Sequence, residues 1–487
     1  MNVEKLLKSI EISEIIGKIP IDVNSLCDHS AKAESGSVFF CRKGTDSDGK
    51  IYIKEAINNG AVMIVSEERI ECGVCVVVVD NIRDAMVKFA DCFYGSPQKE
   101  LKVVGVVGTN GKTTTCHVLS AVLAARGLNV GVSGTLGTIY SGLMFDSGLT
   151  TLGTLDLYKL MRDMVDSGVE YLVMEVSAHA IDQNRVGGIY FEALIFTNCT
   201  EDHLDYFTDF ENYAATKKKI FSDDICKYKI INSDDAVGRE IIAKNLVNTI
   251  TYGIDSPSDV FAVNVAESTR GINYVINLFD IIYELNIPLY GICNVYNTLA
   301  VCACAAALGV RIHTISAALK KIRPVSGRAE PIAEWRGASI FLDYAHTPDG
   351  LNRTLSSMKK ICKGKLICLF GCGGNREKAK RPIMGEIAGI IADYSVITSD
   401  NPRYEDPDCI IGEIEVGIKR VNGNYTRITD RAEAIKFAVD KLKRGDMLVI
   451  AGKGAEKYQE INGIKRDFSD KNAVLEYIDT LGGNESL

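Results

Sequence analysis

Short apolar runs, separated by amphipathic stretches, repeat along almost the whole of this chain. Ser37–Cys41, Val74–Val79, Lys102–Val107, Lys365–Phe370, Tyr394–Thr398 and Met447–Ile450 have the length and β-branched content of buried strands. Tyr52–Asn59 and Ile82–Tyr94 instead space their apolar residues for one face of a helix. This alternation predicts an α/β chain built on parallel sheets. Gly-Ser-Pro-Gln at 95–98 reads as a linker, and a second break falls near Arg323-Pro324. The expected units are residues 1–98, 99–325 and 326–487, in keeping with the three or so domains that 487 residues suggest.

Composition removes several function classes. Lys and Arg number 55 against 63 Asp and Glu, a net charge of -8, so nothing global draws this chain to nucleic acid or an acidic membrane. A 46% hydrophobic content excludes disorder and supports packed cores. No apolar stretch approaches the ~20 residues of a membrane span. Most of the 15 cysteines lie in apolar runs, as Cys75, Cys302, Cys304 and Cys368 do, and read as small buried hydrophobes. The single C-x-x-C pair, Cys72 and Cys75, has no companion at zinc spacing. An odd cysteine count without a signal peptide points to a reducing, cytosolic compartment.

The strongest chemical signal is the passage from the strand Lys102–Val107 into Gly108-Thr-Asn-Gly-Lys-Thr-Thr114 and then a helix ending near Gly127. Glycines let backbone N–H groups approach phosphate oxygens, the helix start attracts anions, Lys112 offsets phosphate charge and Thr113 can ligate Mg²⁺. The spacing departs from the usual P-loop, because Val106 holds the first glycine position. Glu175 closes a second strand, as a Mg·nucleotide site requires. Asp202, His203 and Asp205 follow a third. Taken singly, Glu175 reads better as a solvated strand-end carboxylate and His203 as a structural histidine. In the last third, three loops (GCGG, SDNPR and AGKGAE) each follow a strand, and ligands of open α/β sheets bind beyond such strand ends.

These pieces occur together. GTNGKTTT (108–115), MEVSAHA (174–180), TNCTEDHLD (197–205), YAATKKKIF (213–221), GICNVYNTLAVCACAAA (291–307), SGRAE (326–330) and LDYAHTPDG (342–350) resemble the ATP-dependent Mur ligases, whose P-loop has the same shifted form. The likeness runs from HSAKAESGSVFFCRKG (29–44) to FSDKNA (468–473). It is nearest to members that extend UDP-N-acetylmuramoyl-L-alanyl-D-glutamate by a diamino acid through an acyl phosphate. The resemblance implies a small N-terminal α/β UDP-binding domain, a central P-loop ATPase-like domain with a mostly parallel sheet, and a C-terminal Rossmann-like domain.

It also implies roles for individual residues. Gly108, Thr109, Asn110, Gly111, Lys112, Thr113 and Thr114 would hold ATP, with Asn294 and Asn297 near adenine and Arg328 and Asp343 at phosphate and ribose. Thr113, Glu175, His203 and Lys217 would attend Mg²⁺, the last as a carbamylated N6-carboxylysine. Lys112, Glu175, His203, Lys217 and Arg328 form the implied catalytic set. Ser30, Thr45, Asp46, Ser47, Thr150, Thr151, Ser177, Gln183 and Arg185 match the UDP-sugar dipeptide positions, while His29, Ala31 and Leu149 depart from the pattern there.

Arg376, Asp400, Asn401, Pro402, Arg403, Gly452 and Glu456 match the members that take meso-diaminopimelate. An arginine fork is a natural receptor for the second carboxylate, which lysine lacks, and Glu456 can pair with the ammonium. Ala455 replaces the usual histidine of GKGHE. The expected partners are small molecules, with neither nucleic acid nor membrane, and the expected state is a monomer. Competing readings are the same reaction with L-lysine, a folylpolyglutamate synthase, and a nucleotide-binding regulatory protein without ligase activity. A dinucleotide site at GCGG is disfavoured, because G-x-G-x-x-G is incomplete.

Overall fold

The structure is a computed structural model that describes residues 1–44, 48–146 and 148–482. Thr45, Asp46 and Ser47, expected at the UDP-sugar, lie outside the described residues.

Three α/β units follow one another. In the first, a five-stranded sheet runs in the order Glu14–Ile16, Cys75–Val78, Ala61–Ser66, Ser37–Phe40, Ser25–Cys27, parallel except for its first pair. The helix Ile82–Phe93 covers it. Asn81 starts that helix by accepting the Arg83 and Asp84 N–H groups, and Phe89 meets Phe40 edge to face. The segment 95–98 is no loose tether. Pro97 opens a 3₁₀ turn, and both Pro97 and Gln98 are buried against the helix Thr154–Asp166, so it forms a packed corner.

The central unit is an eleven-stranded sheet. The strand Lys102–Val107 lies between Tyr171–Val176 and Phe191–Phe196, parallel to both, with Glu175 opposite Val106 and Phe196 opposite Val107. Three strand ends therefore arrive side by side. The helix Ile292–Ala307 is buried along most of its length, Cys302 and Cys304 included. Both edges depart from the parallel expectation: Val130–Gly134, Gly137–Tyr140 and Leu143–Phe145 pair antiparallel at one, and Val260–Ser268, Gly271–Leu278 and Ile281–Ile287 form an antiparallel meander at the other. Only one face of it is covered, so Ile272, Tyr274, Ile276 and Leu278 alternate with less buried residues. That alternation is a different signature from the continuous apolar runs of doubly covered strands.

The third unit is a six-stranded sheet whose inner strands, Ala338–Asp343, Met447–Ala451, Leu366–Phe370 and Tyr394–Ile397, are parallel neighbours. A separate hairpin, Tyr458–Ile461 with Ile464–Asp467, follows. The three loops singled out in the sequence thus leave three adjacent strands. No helix among the described residues is long and apolar enough to cross a membrane.

Beneath those loops, Arg431 and Asp470 are both fully buried and pair through two bonds of 2.7 Å. The remaining donors reach Ser399 O at 3.2 Å and Ala451 O at 3.1 Å, the ends of two strands. Neither residue advertises this partnership in sequence, where 39 positions separate them. Replacing Arg431 with Ala strands a buried carboxylate and is expected to cost about 3–5 kcal/mol in denaturant unfolding. Arg427→Ala breaks a surface pair with Asp408 and a longer one, 3.9 Å, with Glu415, both made by an exposed guanidinium, and should cost under about 1 kcal/mol. Equal effects would show that Arg431 and Asp470 do not anchor the loops.

Candidate nucleotide and acceptor sites

The P-loop is stitched to the loop that leaves the neighbouring strand. Asn198 O accepts Thr109 N–H at 2.9 Å, Asn198 Oδ1 accepts Asn110 N–H at 2.9 Å, and Thr197 Oγ1 donates to Asn110 O at 2.7 Å. A Cβ on Gly108 would fall 1.9 Å from Thr197 Oγ1, so glycine is required there by contact. Lys112 begins the helix and donates to Gly108 O and Thr109 O at 2.8 Å each. Burial pushes its ammonium pKa down, partly opposed by Glu175 and Asp202.

The third unit closes on this loop. Arg328 Nη2 donates to Thr113 Oγ1 at 3.1 Å, its guanidinium lies 4.4 Å from the Tyr344 ring, and Asn110 Nδ2 donates to Asp349 at 3.1 Å. The resulting cleft is lined by Asn294, Asn297 and Tyr290 on one side and by Asp343, Ala345 and Thr354 on the other. Asn297 donates to Asn294 Oδ1 at 2.9 Å, and Asn294 to Tyr290 O at 2.7 Å. Asp343 accepts Ala329 N–H, Ala345 N–H and Thr354 Oγ1, so it orders its own loop as well as lining the cleft. Burial raises its pKa against the pull of those donors and of Arg328.

Acidic and basic groups gather at the other flank. Glu175 is buried, its oxygens accepting Thr135 N–H at 2.8 Å and Thr135 Oγ1 at 3.2 Å. His203 caps the short helix Leu204–Phe207 in a left-handed conformation and packs edge-on against His179. Burial raises the Asp202 carboxyl, but His203, His346, Lys112 and Lys380 outweigh it and leave its pKa low. Lys217 is buried, contrary to what its place in a run of three lysines suggests. Its Nζ donates to Thr109 Oγ1 at 2.7 Å and sits 3.9 Å from the Tyr213 ring centre. Burial, aided by the charge of Lys112, lowers its pKa to about 7.

The UDP-side residues form two groups. Thr150 shares a hydrogen bond with Thr135, and Thr151 Oγ1 donates to Glu175 O at 2.9 Å and accepts Ser177 N–H at 3.0 Å. Arg185 donates to Thr151 O and, through two nitrogens, to Gln183 Oε1. Burial first, then Arg42, depress its pKa. Ser30 stands apart in the first unit, with its hydroxyl donated to Glu55 at 2.8 Å. His29 caps the turn that carries it, accepting Ala31 N–H, and Leu149 is half exposed.

The acceptor loops converge at the three strand ends. Asn401 Nδ2 donates to Glu456 Oε2 at 2.9 Å, and Lys453 Nζ donates to both Asn401 Oδ1 and Glu456 Oε2 at 3.0 Å. Lys453 is fully buried and was not anticipated from sequence; the signal was its place three residues before Glu456 at the end of an apolar strand. Asp400 lies so close to Gly452 that a Cβ there would be 2.6 Å from Oδ2. Pro402 and Arg403 follow, whereas Arg376 is exposed on the adjacent loop. Arg381, also unanticipated, is buried and forks onto Glu405 at 2.9 Å. That hydrogen bonding holds the Glu405 pKa at about 2. Ala455 meets the SGRAE turn through its backbone, since a Cβ on Gly327 would lie 2.2 Å from Ala455 N.

Comparison with known proteins bears on the family and the fold. A family profile described as the Mur ligase middle domain matches residues 106–305, and one described as the Mur ligase, glutamate ligase domain matches 327–454. The chain is 39% identical over 480 residues to the UDP-N-acetylmuramoyl-L-alanyl-D-glutamate–2,6-diaminopimelate ligase of Caldanaerobacter subterraneus subsp. tengcongensis, covering 98% of this chain and 99% of that one. A solved structure described as a ligase of the same name is 29% identical, with a TM-score of 0.68 over 96% of this chain and 98% of that one. The MurF ligase of Thermotoga maritima, solved in complex with ADP, shares the fold at a TM-score of 0.64 and 19% identity, over 94% and 97% of the two chains.

A substitution tests the nucleotide cleft. Gly111 has φ of 87°, and a Cβ there would lie 2.4 Å from Asn297 Oδ1. Gly111→Ala should therefore weaken ATP binding at least about tenfold in titration calorimetry, because strain and collision both act on the loop. Unchanged affinity would exclude this cleft as the nucleotide site.

Proposed function

The chain belongs to the Mur ligase family, and from that premise we propose that it joins meso-diaminopimelate to the D-glutamyl γ-carboxylate of UDP-N-acetylmuramoyl-L-alanyl-D-glutamate, converting ATP to ADP and phosphate. The observation that carries the acceptor assignment is the loop carrying Asp400, Asn401, Pro402 and Arg403, braced against Lys453 and Glu456 at three strand ends. We take the three units as domains at 1–98, 99–325 and 326–487, holding the UDP end, ATP and the incoming amino acid. The reading places the protein in cytoplasmic synthesis of peptidoglycan precursors, acting as a monomer on small-molecule substrates.

In the mechanism, a γ-carboxylate oxygen attacks the γ-phosphorus of ATP, and ADP leaves. The acceptor amine then attacks the acyl carbon. The tetrahedral intermediate expels phosphate, the nitrogen loses its proton, and the amide remains. Carboxylate and ammonium would otherwise persist as a salt. Lys112, Arg328 and the P-loop N–H groups offset charge as the phosphoryl group moves. Arg328 reaches the P-loop from the third domain, so domain contact assembles the site and excludes water from the acyl phosphate.

Thr113, Glu175, His203 and a carboxylated Lys217 are the residues that would hold Mg²⁺, and most offer the oxygen donors that a hard cation prefers. When bound, the ion supplies positive charge at the phosphate oxygens. Lys217 suits its modification: CO₂ adds only to a neutral amine, and a pKa near 7 leaves much of this one unprotonated.

Two measurements test this reading. Phosphate release with the UDP-dipeptide, ATP and Mg²⁺ should require meso-diaminopimelate, with L-lysine a poor substitute, and Lys112→Ala should lower turnover by about 10³-fold or more. A lysine preference, or slow ATP turnover indifferent to the dipeptide, would overturn it. Enzyme stripped of CO₂ should lose activity and regain it with bicarbonate. Because protonation blocks the amine below its pKa, recovery should be faster about one pH unit above 7 than about one unit below. A mass gain of one CO₂ on the Lys217 peptide should accompany it, and recovery without that adduct would exclude the carbamate.

A further inference from the structure

Arg403 is held more firmly than a surface loop requires. Its backbone is left-handed, with φ of 50°. Its N–H donates to Glu460 O at 3.0 Å, and its carbonyl accepts Asn462 N–H at 2.6 Å, a local parallel bridge to the strand Tyr458–Ile461. The same strand grips the preceding residues. Glu460 N–H donates to Asn401 Oδ1 at 3.0 Å, and Gln459 Nε2 donates to Asp400 O at 2.7 Å. On that frame the Glu460 carboxylate meets Arg403 Nε at 3.3 Å, while Nη1 donates to Gly374 O at 2.7 Å. The guanidinium plane is thereby fixed at two points. Among the described residues Nη2 has no protein acceptor.

We propose that Glu460 is a positioning residue for the acceptor: with Gly374 O it sets the plane of Arg403 so that the remaining donors form a fork for the distal carboxylate of a diamino dicarboxylic acid. The inference rests on the function proposed above and adds a determinant outside the loop that touches the acceptor. Two effects of Glu460 oppose each other. Its charge competes with an incoming carboxylate, and its position orients the receptor. Both side chains are only about one-fifth exposed, at 21%, so solvent weakens this competition little; the pair is joined at Nε alone, however, which leaves the outer edge of the guanidinium to the acceptor. A planar fork makes two parallel bonds only when its plane is right, and a long side chain free to rotate must be ordered on each binding event. Orientation therefore dominates.

The test is steady-state kinetics of the full chain with Glu460→Ala and Glu460→Gln. Glu460→Ala should raise KM for meso-diaminopimelate about tenfold, leaving kcat within about twofold and KM for ATP and the UDP-dipeptide unchanged. Glu460→Gln, whose amide keeps an oxygen in place beside Nε, should restore KM close to the starting value. Should Glu460→Ala not fold, Glu460→Lys, which repels Arg403, replaces it, and the same rise is expected. Three outcomes overturn the proposal: an unchanged or tighter KM for meso-diaminopimelate, no rescue by Gln, or a joint rise of all three KM values with a fall in melting temperature. A starting enzyme that turns over no amino acid removes the proposed function and this inference together. An active enzyme indifferent to Glu460→Ala removes the inference alone.

Discussion

Thr197 Oγ1 and the backbone of Gly108 lie so close that the P-loop has no room for a side chain at its first turn. This contact follows from parallel pairing: Phe196 and Val107 are in register, so the loops after both strands must emerge against each other. The rest of the P-loop inherits its geometry from that constraint. Asn198 and Thr197 fix the Asn110 peptide, and Thr109 is left pointing its hydroxyl at Lys217. The helix Lys112–Ala125 can then begin where its N–H groups face the loop. A lysine deep in the molecule and the P-loop backbone are thus parts of one stitched strand end.

The cations of the site share a pattern. Lys112 rests on two backbone carbonyls, Arg185 on a carbonyl and an amide oxygen, and Arg328 on a hydroxyl. Arg381 and Arg431, which brace loops, are each neutralised by carboxylates, and Lys453 is paired with Glu456. Neutral acceptors satisfy hydrogen bonds without cancelling charge, so a protein of net charge -8 keeps local positive potential for phosphates and carboxylates. Arg403 lies between the two classes, with one carbonyl and one carboxylate.

Much of this was legible in the chain. Strands covered on both faces announce themselves as apolar runs, and Lys102–Val107 spans the residues its composition predicts. The three acceptor loops were placed by position alone, since each follows such a run. The antiparallel meander at 260–287 was missed because its apolar residues are spaced in twos. Lys217 stands in a charged run with Lys218 and Lys219, and local sequence does not show that it packs over Tyr213 of its own helix and reaches Thr109, 108 residues away. Arg431 with Asp470, Lys453 with Asn401, and Glu460 with Arg403 share that difficulty. Each joins residues dozens of positions apart, and nothing local marks one partner for the other.

The hairpin 458–467 has a consequence for how such a protein diversifies. The contacts described for it run to the acceptor loop, while the phosphate machinery sits in another domain. On the acceptor assignment proposed above, selection can rewrite the taste of the enzyme for its amino acid within one small cassette, leaving its engine untouched.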